Sequence, residues 1–196
     1  MDTSTVGLLM GIFLSLALGV AILLVATRMQ RLSAARLLTA AALVIACLLV
    51  TAILPWNVPV LFGVLLAVQA TALAVRGGNP VVRWVLRVAD GGKTEDGPNG
   101  GILVELMAEQ AAGPAAPRQD EILRGGTTIG YLERLAAALG IIAGFPAVIA
   151  VIVALKGVGR FTELATPAAR ERFIVGTLAS LLWACAVAGI VPLAVW

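Results

Sequence analysis

Four stretches of this chain, residues 6–27, 37–54, 58–75 and 173–191, contain no Asp, Glu, Lys or Arg and consist almost wholly of apolar side chains. Uncharged apolar runs of about 18 residues or more have the length needed to cross a ~30 Å hydrocarbon layer as helices. Inside such a layer every backbone amide and carbonyl must be paired within the protein, which leaves helices as the natural solution for single segments. Composition agrees: 60% of the 196 residues are hydrophobic and 13% are charged, about half the ~25% typical of soluble domains. Mean hydropathy is +1.01.

A fifth apolar stretch, residues 125–163, differs because it carries charge: Glu133, Arg134, Lys156, Arg160 and Glu163. Its middle is Gly144-Phe145-Pro146. Glycine weakens a helix there and proline then removes a backbone donor, so two short helices folded back on each other are predicted. Glu133 and Lys156 lie equally far from the Gly144–Phe145 bond, and an antiparallel hairpin brings them to the same depth. Ionisable groups at lipid depth face protein or water and find partners. Lys156 is the first partner expected for Glu133 and Arg160 the second. Arg134 is expected either to snorkel to headgroups or to pair with Glu163. A structural clamp is the leading role for the charged set; a cation or proton path and a docking site for headgroups or a partner are the alternatives. Each arm is short for a full crossing, which modest bilayer thinning accommodates.

The remaining segments are read from local signals. Basic residues follow the first apolar run rather than precede it, so that run is expected to be a retained span and not a cleaved leader. Gly7 and Gly11 form a GxxxG pair suited to close helix approach. Residues 55–59 are a turn with Trp56 as an interfacial anchor, and Gln69 is placed to hydrogen-bond to a neighbouring helix. In Gly77-Gly78-Asn79-Pro80, Asn79 suits an N-cap and Pro80 the first helical position. A separate amphipathic helix over 80–89 is therefore predicted, with Val81, Trp84, Val85 and Val88 on one face. Arg83 and Arg87 fall on the other, so that Arg83, Trp84 and Arg87 meet anionic headgroups; the alternative is an extension of the third span packed on protein. Residues 90–101 are Gly-rich and acidic and are expected to be mobile. A short helix over 102–111 and an Ala/Pro/Gly linker at 112–118 complete a hydrophilic segment.

Charge placement orients the six helices. With the N-terminus outside, the inner connections 28–36, 76–128 and 156–172 hold three, six and four of the fourteen Lys and Arg residues, and Arg134 lies near the inner face. None falls outside, as the positive-inside rule predicts. A five-span alternative, with 132–155 as one helix, places Lys156, Arg160, Arg170 and Arg172 outside and is disfavoured.

Catalytic chemistry finds little support. The chain has no histidine, which removes the commonest metal ligand and general base. Gly92-Lys93-Thr94 lacks the upstream glycine and strand of a phosphate-binding loop. Cys47 and Cys185 sit in apolar runs and read as small buried hydrophobes. No catalytic residue, metal site or cofactor is expected.

One set of residues carries a resemblance. Ile129-Gly130-x-Leu132-Glu133-Arg134-Leu135, then Lys156, then Arg160-Phe161-x-Glu163-Leu164, then Ile174-x-Gly176-Thr177-Leu178-x-Ser180 occur in that order. Over about residues 126–180 this resembles the membrane-embedded C-terminal part of a bacterial family catalogued as domain of unknown function 3307. The resemblance implies a bacterial inner-membrane protein with no assigned activity. It also implies that Glu133, Arg134, Lys156, Arg160, Gly176 and Thr177 form one unit. Gly140 and Gly144 in the hairpin, with Gly176, Thr177 and Ser180 in the last span, are the expected helix-packing positions.

The expectation is an all-α polytopic membrane bundle of about six transmembrane helices. It divides into a three-helix segment (1–75), a cytoplasmic loop (76–126) and a hairpin with the last helix (127–196). The expected function is that of a non-catalytic scaffold or accessory subunit in the bacterial inner membrane. Its partners are an anionic lipid face and a membrane protein or second copy of the chain, with no nucleic acid. The alternative is a small ion or solute transporter using Glu133 and Lys156.

Overall fold

A computed structural model describes residues 3–26, 33–54, 56–89, 102–105, 119–122, 126–159 and 167–195. They form helices α1 (Thr3–Val25), α2 (Ala34–Ile53), α3 (Val60–Ala89), α4 (Gly126–Ile142), α5 (Val148–Gly159) and α6 (Pro167–Val195), and strands β1 (Ile102–Glu105) and β2 (Gln119–Ile122). Four helices, α1, α2, α3 and α6, are long and apolar enough to cross a membrane. The arms α4 and α5 have 17 and 12 residues, or about 25 and 18 Å at ~1.5 Å per residue, short of a ~30 Å core.

The helix at the centre is α6. Over half of its apolar window is buried, 56% against 28% for α2, and its contact with α3 is the most extensive between any two elements. The two run antiparallel: at one end the Val58 amide donates to the Ala194 carbonyl at 2.9 Å, and at the other Gly176 faces Val82 and Leu86. The core between them is made of Leu66, Ala70 and Leu73 from α3 with Ala184, Val187 and Ile190 from α6, each 0–1% exposed. The small side chains among them, Ala70 and Ala184, let the helices approach where lipid provides no hydrophobic drive to associate. Leu14 and Leu18 of α1 and Val44 and Cys47 of α2 extend that core. The Gln69 side-chain amide donates to the Ser15 carbonyl of α1 at 3.2 Å. A Cβ on Gly7 would meet the Asn57 carbonyl, and one on Gly11 the Phe62 ring, both at 2.6 Å. Large apolar side chains cover the outside, among them Leu23, Ile53, Val60, Leu61 and Leu182, the surface a lipid-facing bundle presents.

Three sequence expectations are corrected here. First, no helix starts at Asn79-Pro80. Helix α3 runs unbroken for 30 residues with Pro80 inside it, so the 80–89 segment is the far end of the third span and not a separate helix along the surface. Second, the short helix expected over 102–111 does not start at Ile102, where residues 102–105 form a strand. Residues 102–105 pair antiparallel with 119–122, Ile102 opposite Ile122 and Glu105 opposite Gln119. An isolated ten-residue helix is marginal in water, whereas an Ile-Leu-Val run suits a paired strand. Third, Gly144 is a turn residue rather than a packing residue. Its φ of +76° is left-handed, and a Cβ there would meet nothing within 4 Å. The Phe145 amide donates to the Gly140 carbonyl at 2.7 Å and the Gly144 amide to Ile141 at 3.0 Å, which is the double closure of a Schellman C-cap. Pro146 follows and the chain reverses, so 132–155 is not the single helix of the alternative reading. The expected Gly-rich and Ala/Pro linkers at 90–101 and 112–118, together with Arg160, Glu163 and Trp196, lie outside the described residues.

Candidate functional site

Glu133 and Arg134 are neighbours on α4, and successive helical side chains point about 100° apart. The two charges are thereby sent to different neighbours. Glu133 turns to α5, where the Lys156 ammonium donates to its Oε2 at 2.6 Å. Both side chains are largely enclosed, 9% and 17% exposed. The ammonium also stands 5.7 Å from the centre of the Phe173 ring of α6, within cation–π range. This pair, together with the cap at Gly144, fixes the register of the hairpin.

Arg134 turns the other way and does not snorkel, and among the described residues its hydrogen-bond acceptors are neutral; the expected partner Glu163 lies outside them. Arg134 is the largest fully enclosed side chain among the described residues, 2% exposed. Its Nε donates to the Val75 carbonyl at 3.1 Å, one Nη to Ser180 Oγ at 2.9 Å and the other to Asn79 Oδ1 at 2.6 Å. The Tyr131 ring lies 5.3 Å from its guanidinium carbon. One α4 side chain therefore ties α3 and α6 together through charge-assisted hydrogen bonds, the stronger kind.

The Gly77-Gly78-Asn79-Pro80 sequence is what admits it. A Cβ on Gly78 would fall on the Arg134 side chain, and one on Gly77 would lie 2.7 Å from the Trp183 ring. Trp183 in turn donates from its indole nitrogen to the Leu73 carbonyl at 3.2 Å. Two glycines each cost a helix about 1 kcal/mol in propensity, but in lipid the unpaired backbone of a broken helix costs several kcal/mol per group. The helix persists, and the missing side chains become a seat for an arginine and a tryptophan. Pro80 gives the Arg76 carbonyl no amide partner. Arg134 donates to the carbonyl next to it, at Val75.

The other expected packing residues separate by role. Gly140 is a close-approach site, since a Cβ there would fall on Val148 across the hairpin. Gly176 faces α3 rather than the hairpin, and the nearest atom to an added Cβ is 3.6 Å away, so it has room for a methyl. Ser180 bonds the hairpin through Arg134. Thr177, one turn before it, is 8% exposed, and its hydroxyl has no hydrogen-bond partner among the described residues. Arg83 and Trp84 are half-buried and Arg87 is exposed at the end of α3.

An open groove of about 340 Å³ lies between α4 and α5, with Glu133 and Lys156 in its wall and Leu132, Ala136, Ile152 and Leu155 among its apolar lining. Sequence reasoning identified the Glu133–Lys156 pair because it follows from counting outward from a turn. It missed Gly77, Gly78, Asn79, Tyr131, Phe173 and Trp183. The available signal was that an arginine at lipid depth needs acceptors, and Asn79 and Ser180 are polar residues lying at matching depth on α3 and α6. No family model matches the chain, and no curated protein or solved structure matches it.

Proposed function

We propose that the protein is a multi-pass, non-catalytic scaffold or accessory subunit of the bacterial inner membrane. In this reading the N-terminus is outside and the ends of α3, α5 and the beginning of α6 are at the cytoplasmic face. One observation carries the functional part: each ionisable side chain described within the apolar arms is held by a protein contact. Glu133 is held by Lys156, and Arg134 by Val75, Asn79 and Ser180. Groups that must bind and release a moving ion are poorly served by partners that lock three helices together, whereas a rigid platform is well served by them.

The orientation is supported by the distribution of Lys and Arg and by helix length. At ~1.5 Å per residue α3 is about 45 Å long, some 15 Å more than a hydrocarbon core. The excess falls at the 80–89 end, where Arg83, Trp84 and Arg87 meet headgroup depth. The bacterial inner membrane is the location that the resemblance of residues 126–180 to the domain of unknown function 3307 family would imply. A membrane protein or a second copy of the chain is the partner this reading calls for.

The test is flux. Purified protein in liposomes is expected to pass no more ions or small solutes than empty liposomes, and a stable membrane partner is expected to survive gentle detergent extraction. Transport that Glu133→Gln abolishes overturns the scaffold reading and establishes the transporter in its place.

A further inference from the structure

We infer that the groove between α4 and α5 is a binding site for one anionic phospholipid, its acyl chain lying between the two arms and its phosphate against the Lys156 ammonium. The inference rests on the hairpin lying in the bilayer with its charged end at the headgroups, and not on the scaffold role.

The groove is the unfilled seam of the hairpin. Its lining residues fall at positions 129, 132, 133 and 136 on α4 and at 152, 155, 156 and 159 on α5. On each arm that is the i, i+3, i+4, i+7 stripe a helix turns toward its partner. The stripes face each other but do not close: the small residues Ala136 and Gly159 stand at opposite ends of the seam, and about 340 Å³ is left between the arms. Ile152 is the one buried residue of α5, so this arm has little other anchorage. Leu132 and Leu155 in its lining are 62% and 70% exposed, which sets the mouth of the groove toward lipid.

Its dimensions select the occupant. The seam extends seven residues along each arm, about 10 Å. It is narrow, open along one side and lined mainly by apolar side chains, a shape that a single flexible hydrocarbon chain follows.

Its polarity selects the headgroup. Lys156 lies within a turn of the end of α5, close to the start of α6 through Phe173, so the polar end of the groove is the charged end of the bundle. An ammonium has three donors, and the contact with Glu133 uses one. Among the described residues of α4, α5 and α6 the charges are also unbalanced: Arg134, Lys156, Arg170 and Arg172 stand against Glu133 and Glu171. That positive excess favours phosphatidylglycerol over a zwitterionic lipid.

The experiment is native mass spectrometry of delipidated full-length protein offered phosphatidylglycerol or phosphatidylcholine with identical chains. One phosphatidylglycerol per protein is expected to be retained about fivefold more strongly, the worth of one lysine near an anionic lipid. Lys156→Gln is expected to remove the preference and Lys156→Arg to keep it. Ala136→Leu, which fills the groove from its deep end, is expected to lower retention of the bound lipid while far-ultraviolet circular dichroism stays unchanged. Should Lys156→Gln fail to fold, the Lys156→Arg and Ala136→Leu pair carries the test. Equal retention of the two lipids, a preference that survives Lys156→Gln, or retention indifferent to Ala136→Leu overturns the site. Alkaline carbonate extraction separates the two levels: protein that washes out of membranes refutes the bilayer placement itself. Protein that stays in but shows no lipid preference refutes only the groove assignment.

Discussion

Gly78→Ala is the most discriminating perturbation of this fold, because local and tertiary reasoning predict opposite signs. By propensity alone, replacing a glycine inside a helix with alanine stabilises it by up to about 1 kcal/mol. In the folded protein the new methyl would occupy the space of the Arg134 side chain, meeting its Cδ, Nε and Cζ. The guanidinium is held at three acceptors on two other helices and cannot shift without leaving them. Interhelical hydrogen bonds in membranes are worth roughly 0.6–1.7 kcal/mol each, so displacing the side chain forfeits about 2–5 kcal/mol. Set against the gain in propensity, the net loss is about 1–4 kcal/mol. Reversible unfolding in mixed micelles, followed by circular dichroism, measures it. Gly176→Ala is the matched control: its methyl has ordinary van der Waals space, so it is expected to be neutral or to gain up to about 1 kcal/mol. Arg134→Ala empties the seat, and Gly78→Ala is expected to cost less in that background than alone. A Gly78→Ala protein as stable as the native one refutes the claim that α3 is notched to receive Arg134.

Three further outcomes follow from the same geometry. Glu133→Gln and Lys156→Gln are each expected to cost roughly 1–3 kcal/mol, below the ~3–5 of a wholly buried pair because Lys156 keeps 17% of its side chain exposed. The double variant is expected to lose less than either single one, as a four-member unfolding cycle will show. Gly144→Ala forces an L-residue to φ +76° with no packing to gain, and a loss of about 1–2 kcal/mol is expected in the same assay; Gly144→Asn, which tolerates that region, should lose less. For orientation, Ala168→Cys in a background with both native cysteines replaced is expected to react with a membrane-impermeant maleimide only after the cells are opened. Labelling of intact cells would invert the arrangement of α5 and α6.

How much of this was legible in the chain depends on how far apart the deciding residues lie. Segments crossing a membrane announce themselves one at a time: whether residues 6–27 or 173–191 sit in lipid depends on the transfer of their own side chains, which composition reports. The reversal at Gly144 is equally local, being a glycine in a left-handed cap followed by a proline. The Glu133–Lys156 pair follows from that turn by counting. The strand at Ile102 was misread because a ten-residue stretch of mixed propensity takes its structure from a pairing partner, and that partner stands at 119–122.

Arg134 and the Gly77-Gly78-Asn79-Pro80 segment belong to the other class. By local rules those four residues stop a helix, and an isolated arginine beside them seeks headgroups or an acid. With α3, α4 and α6 side by side, the helix continues and the arginine finds neutral acceptors on its neighbours. Arg134 meets its acceptors 46, 55 and 59 positions away in sequence, and the glycines are the gap through which it reaches them. The physical reason is the solvent. In water a Gly-Gly-Asn-Pro run trades helical hydrogen bonds for water at little cost. At lipid depth there is no such exchange, so the helix is kept and its missing side chains are filled by the neighbours that the assembled bundle brings near.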